Sequence, residues 1–263
     1  MTATSISRTR STFARLRAFN LAMGLLHLAQ GAAMLALSTS FALPVTSSFL
    51  ELDKPGGRLA PDLEELFTLR LAPLVAGFLF LSAAAHLTLA LPRVHAWYER
   101  NLRRGVNYAR WMEYSLSSSL MIVVIAMLVG IYDVAALMLM FALNATMILF
   151  GWLMELLNQH TQRTNWTPYW FGVFAGAVPW VAIGIYLFGA GSDGSGGPPT
   201  FVYFIFGSIF VFFNVFAVNM VLQYRRVGPW RDYLFGEAVY IALSLLAKSA
   251  LAWQVFAGTL APR

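Results

Sequence analysis

Long apolar runs, broken by short clusters of basic and turn-forming residues, set the pattern of this chain. Residues 18–50, between Arg17 and Glu51, contain no Asp, Glu, Lys or Arg, and neither do residues 71–92, between Arg70 and Arg93. Residues 111–132 hold one charge, Glu113; residues 134–154 lie between Asp133 and Glu155; residues 164–192 and 194–224 flank Asp193. The last run, 233–262, contains Glu237 and Lys248. A helix that crosses a bilayer needs about 20 mostly apolar residues. The pattern therefore predicts an all-α membrane protein of seven spanning helices, over 19–43, 67–91, 107–131, 134–157, 169–189, 200–225 and 231–258. Only Gly130, Ile131, Tyr132 and Asp133 separate the third span from the fourth. A single helix through both would be far longer than a bilayer is thick, so a tight turn is expected there.

The one long connection, 44–66, holds LELDKPGGRLA, which reads as a short β-hairpin around Pro55, Gly56 and Gly57. The connection GAGSDGSGGPPT, 189–200, reads as a flexible linker. A phosphate cradle would need a preceding strand and a Lys-Ser/Thr pair, and it has neither. No internal repeat is visible, and residues 1–263 read as one membrane domain.

Composition narrows the class. Of 263 residues, 59% are hydrophobic and 11% charged, against about 25% charged in a soluble domain. A soluble enzyme and a disordered chain are both excluded on that balance. With no cysteine, disulfides, thiolate nucleophiles and Cys-ligated metals are excluded too. The net charge of +6 is no nucleic-acid signal, because the arginines border the apolar runs. The N-terminus, MTATSISRTRSTFARLRAFN, reads as the inner flank of a retained first span. The apolar stretch after it is too long for a signal peptide and lacks a clear cleavage site. Thirteen basic residues lie on the side of the N-terminus and the 2–3, 4–5 and 6–7 connections, against Lys54, Arg58, Arg70 and Arg263 on the other. The positive-inside rule then expects a multi-pass protein of the cell membrane with a cytoplasmic N-terminus and an extracellular C-terminus.

Against that background a few polar residues stand out. Of only two lysines, Lys248 lies mid-helix, 16 positions after Asp232 and 15 before Arg263. A charged lysine there costs about 2.5–3.5 kcal/mol. It must be paired, deprotonated or covalently converted, and a desolvated amine is suited to Schiff-base chemistry; the plainer alternative is a lysine paired for packing. Glu113, early in the third span, is the candidate partner, unless it sits close enough to the surface to be hydrated. Glu237 is a weaker candidate, 11 positions before Lys248 and expected near the inner surface. His27 and His86 fall in the inner half or near the midplane, with Ser82 one turn from His86. Either histidine alone suits ordinary packing, and two without further ligands make no convincing metal site. Beyond Lys248 the outer half offers no carboxylate or histidine. Trp180, Phe206, Phe210, Phe213 and Tyr240 are positioned to line an apolar slot, although each alone suits core or lipid contact. Pro179 suggests a kink, and GVFAG at 172–176 is a small-xxx-small pattern open to a dimer face.

Seven spans, a lone lysine in the last and a carboxylate in the third resemble a retinal-binding rhodopsin. The inverted topology and the strings YLFGEAVYIALSLLAKSALAWQVF and RWMEYSLSSSLM look like heliorhodopsin. The resemblance covers nearly the whole chain and is most specific in the last span. It implies all-trans retinal bound to Lys248 as a protonated Schiff base, with Glu113 as counterion. It implies a polar network of His27, His86, Ser82, Ser117 and Ser244, with Glu237 on the inner side. Tyr114, Trp180 and Phe210 are then expected beside the chromophore. It further implies a homodimer through the fourth and fifth spans and the outer 1–2 loop. Pumping relatives carry a carboxylate where this chain has Val124 and an aspartate where it has Ser244. The implied function is a non-enzymatic light sensor with a slow photocycle, acting on a cytoplasmic signalling partner. A light-driven proton transporter or channel is the alternative, and a retinal-free membrane enzyme or lipid binder is a third class.

Overall fold

The computed structural model describes residues 3–53, 57–191 and 196–262, with side chains from residue 12 onward and that of Asp53 excepted. Lys54, Pro55 and Gly56 of the expected turn, residues 192–195 of the Gly-rich linker, and Arg263 lie outside the described residues. The chain runs α1 (Ala3–Leu37), β1 (Ala42–Asp53), β2 (Arg58–Arg70), α2 (Leu71–Ala90), α3 (Pro92–Leu102), α4 (Tyr108–Leu128), α5 (Val134–Asn158), α6 (Thr167–Gly189), α7 (Thr200–Tyr224) and α8 (Tyr233–Val255). A 3₁₀ turn at Gly228–Arg231 precedes α8, and a π turn at Phe256–Leu260 follows it. Among the described residues seven helices are long and apolar enough to cross a membrane: α1, α2 and α4 to α8.

The helix boundaries follow local chemistry. Asn107 caps α4 by accepting from the Arg110 N–H, and Asp133 and Asp232 do the same for α5 and α8. Gly130 adopts φ +93, the left-handed region that lets α4 stop and α5 start within six residues. The tight turn expected there is present. α6 runs unbroken through Pro179. Its Gly172 and Gly176 serve close packing against Met147 and Phe150 of α5 within the protomer, which is where the small-xxx-small pattern is used.

Two features depart from the sequence reading. The hairpin is longer than expected: β1 and β2 pair antiparallel from Ala42↔Arg70 to Asp53↔Arg58, with a bulge at Val45/Thr46. The first span ends at Leu37 rather than residue 43, and the second starts at Leu71 rather than 67. Ser38, Thr39 and Ser40 follow the last helical residue, and Pro44 and the β-favouring Val45 and Thr46 keep the chain beyond them extended. The hairpin is tied back to the bundle through Thr46 N–H, which donates to Tyr132 O at 2.9 Å in the α4–α5 turn. The second departure is α3, in what read as a plain loop. Pro92 starts it at the first turn, Tyr98 and Leu102 bury against Phe13 and Leu16 of α1, and Arg93, Arg100 and Arg103 face out.

The packed interior has two zones. Toward the hairpin face it is apolar, built from residues such as Leu71, Phe78, Ile122, Ile125, Leu251 and Val255. Toward the face that carries α3 and most arginines (the basic face) it holds Asn20, His27, Ser82, His86, Arg110, Glu113, Glu155, Glu237 and Lys248, all buried. The outward surface is apolar, with Phe174, Phe204 and Met138 exposed, as lipid contact requires.

Candidate functional site

Lys248 is the centre of the site. Its Nζ donates to Glu113 Oε1 at 2.9 Å and to Ser244 Oγ at 2.9 Å, one turn back on α8. Lys248 is 3% and Glu113 9% exposed, so this pair is closed to bulk water and Glu113 is not a hydrated surface carboxylate. Ser82 on α2 donates its hydroxyl proton to the same Glu113 oxygen at 2.6 Å. One charged donor and a short hydroxyl contact compensate the carboxylate that burial would otherwise penalise. The Lys248 ammonium also lies 5.0 Å from the Tyr114 ring centroid.

Beside this pair, His27 and His86 stack with ring centroids 5.8 Å apart and planes 5° from parallel. His86 Nδ1 lies 2.8 Å from Asn20 Oδ1. Both nitrogens of His27 and the Ser117 hydroxyl are buried with no hydrogen-bond partner among the described residues. Groups of this kind are commonly served by internal water in folded proteins. Asn20 was not singled out from the sequence; an amide in an apolar run was its only signal.

On the other side of Lys248 opens an apolar cavity of about 470 Å³, between α4, α5, α6, α7 and α8. Trp111, Tyr114, Trp180, Phe210 and Tyr240 line it, and Lys248 reaches its wall. Trp180 meets Phe206, Phe210 and Phe213 edge-on at 5.6, 5.2 and 5.4 Å. The aromatics that individually suited ordinary packing thus form one cavity wall. The donor set fits an apolar aldehyde: a primary amine for an imine bond, a carboxylate behind it, and a dry aromatic slot ahead. Gly151 of α5 keeps Trp111 in place, because a Cβ there would stand 2.5 Å from the ring. Gly151→Ala is expected to destabilise the fold by about 1–3 kcal/mol, read as a lower thermal midpoint of the purified protein.

Glu237 lies one turn into α8, at the end that faces the basic side as expected, but it is 0% exposed and its partners are Arg110 and Asn107, not the histidines. Arg110 also binds Glu155 at 2.5 Å. In the sequence both border apolar runs, Arg110 just before 111–132 and Glu155 just after 134–154. No sequence signal sets them apart, since Arg70, Arg225 and Arg231 lie just inside predicted spans in the same way and are exposed.

The heliorhodopsin family profile matches residues 16–260. No curated protein matches the sequence. Among solved structures, the transmembrane domain of the Salpingoeca rosetta rhodopsin phosphodiesterase is similar, with a TM-score of 0.65 at 12% identity over 97% of this chain and 88% of that one. The light-driven proton pump LR (Mac) from Leptosphaeria maculans gives 0.63 at 14% identity over 92% and 94%. Exiguobacterium sibiricum rhodopsin gives 0.55 at 15% identity over 95% of each. At these identities the structural likeness is one of fold, while the profile spans nearly the whole chain. The protein accordingly belongs to the heliorhodopsin family, and it is a light-sensing or light-driven retinal protein of the membrane.

Proposed function

We propose that the protein is a light sensor whose chromophore is held on Lys248, with Glu113 as counterion, and whose slow cycle signals without net ion transport. The observation that carries this reading is the 2.9 Å Lys248–Glu113 pair at the wall of the aromatic cavity. All-trans retinal, joined to the Lys248 nitrogen as a protonated Schiff base, would supply light absorption and a change of shape. The remaining work falls to the chain's own side chains. Trp180, Phe210 and Tyr114 exclude water and confine the slot. Ser82 and Ser244 hold Glu113 and the Lys248 nitrogen in register. When that nitrogen moves away from Glu113, its proton loses the charge that stabilised it. His27, His86 and Ser117 offer the nearby polar groups toward which the proton can pass.

The reading against transport rests on the other zone. Between Lys248 and the hairpin face the interior is apolar, with Val124, Ile125, Leu251 and Val255 packed together. No buried carboxylate or histidine interrupts it among the described residues. A proton has no side-chain relay there, so the photoreaction shifts a helix arrangement that a cytoplasmic partner reads. No catalytic step is assigned. In this reading residues 1–263 form one retinal-binding domain in the cell membrane, N-terminus inside, consistent with the arginine-rich face. Exposed Leu50, Leu52, Leu59 and Leu63 on the hairpin favour a homodimer through the hairpin, α5 and α6.

The deciding experiment is light-induced pH change in cells expressing the protein with added all-trans retinal. No change, with or without a protonophore, is expected. A protonophore-sensitive shift would establish the alternative, a light-driven proton transporter or channel.

A further inference from the structure

The second buried charge cluster takes no part in that scheme. Arg110 Nη1 donates to Glu237 Oε1, and Arg110 Nη2 donates to Glu155 Oε1. The side chains are 4%, 0% and 2% exposed, respectively. One guanidinium faces two carboxylates, so a fully ionised cluster would leave one uncompensated negative charge inside the protein. The charged side chain in contact with Glu237 is Arg110, which Glu155 shares. From α3, Tyr98 reaches Asn107, and burial pushes its phenol well above the usual range, keeping it neutral. Tyr224 of α7 and Tyr233 and Tyr240 of α8 add no cation. Lys248 is already engaged by Glu113.

We propose that Glu237 holds a proton in the resting protein, so that Arg110, Glu155 and Glu237 form an electroneutral, proton-storing latch across α4, α5 and α8. The hydrogen bonds choose the holder. Glu155 accepts from four donors: Asn107 N–H at 3.0 Å, Arg110 at 2.5 Å, Trp111 Nε1 at 2.6 Å and Tyr233 OH at 3.1 Å. Glu237 accepts from two, Arg110 and Asn107 Nδ2. More donors favour the ionised form, so the excess proton belongs on Glu237.

The latch is placed to sense the cavity. The Arg110 Cζ lies 3.9 Å from the Tyr240 ring centroid and 4.3 Å from that of Trp111, and both rings line the cavity. Glu237, Tyr240, Ser244 and Lys248 follow one another at three- and four-residue steps on one buried face of α8. Holding a proton also leaves the cluster neutral, so Glu113 alone supplies the countercharge of Lys248. If α8 parts from α4, the Arg110–Glu237 contact breaks and water reaches Glu237. Its O–H bond then breaks, the electron pair stays on the carboxylate and the proton goes to solvent. That trigger rests on the light-sensing reading; the stored proton does not.

The test is solid-state NMR of the full chain labelled with carboxyl-¹³C glutamate, in lipid at neutral pH in the dark, without and with retinal. A protonated-carboxyl signal is expected in both samples. It should disappear in Glu237→Gln and show no dephasing by ¹⁵N-indole tryptophan, since Trp111 contacts Glu155. Three results would each overturn the assignment: no protonated signal in the parent chain, loss of a carboxylate signal instead in Glu237→Gln, or dephasing by the indole nitrogen. The parent spectrum decides the first without any variant, and colourless protein leaves the test intact.

Discussion

Lys248→Ala is expected to leave a protein that forms no visible pigment with added all-trans retinal. Lys248 is the only primary amine side chain among the residues lining the aromatic cavity, and the other lysine, Lys54, lies in the connection between the first two spans. Without the Nζ there is no nucleophile for an imine bond, so the loss is complete rather than graded. The substitution also strips Glu113 of its cation. Removing one partner of a buried pair costs about 3–5 kcal/mol, so colour must be judged on protein shown to be folded. The double variant Lys248→Ala, Glu113→Gln removes both charges and leaves no unpaired ion at that site. It should therefore be more stable than Lys248→Ala alone, yet equally colourless. Visible absorption in either variant would end the assignment of Lys248 as the attachment site.

Glu113→Gln should keep the chromophore and change its charge. The amide preserves the shape that receives Ser82 and Lys248 but removes the negative charge 2.9 Å from Nζ. A loss of about 3–5 kcal/mol of pairing corresponds to roughly two to four powers of ten in the ratio of protonated to unprotonated nitrogen. At neutral pH the visible band should give way to a near-ultraviolet band and return on acidification or with an added small anion. A spectrum and acid–base titration unchanged from the parent would remove Glu113 as counterion. Glu237→Gln serves as the contrast. Its partners are Arg110 and Asn107, so the visible band should survive neutral pH there.

The membrane architecture was legible because hydrophobicity along a spanning helix is nearly one-dimensional. Each run long enough to cross a bilayer supplied a spanning helix, and two mid-run charges, Lys248 and Glu113, met each other. A buried ion has few alternatives to finding its opposite. Less legible was every feature set by contacts between distant segments. Hydropathy gave no cue for the strands that replace the ends of the first two spans, because β1 and β2 are mutually templated and anchored by Thr46 to the α4–α5 turn. α3 is amphipathic at the bundle's edge, too short for the membrane pattern to register.

The charges show the division most clearly. Sequence alone determined that Lys248 had to be paired or converted, since its position along a spanning helix follows from counting residues. It could not tell an arginine that anchors a helix end from one that turns inward. Arg110 lies three residues before Glu113 and only the tertiary structure directs it away from solvent, where Glu155 and Glu237, brought in by α5 and α8, surround it. Depth in the membrane is a property of position along the chain. Which way a border residue points depends on which helices stand beside it, and that is decided by packing.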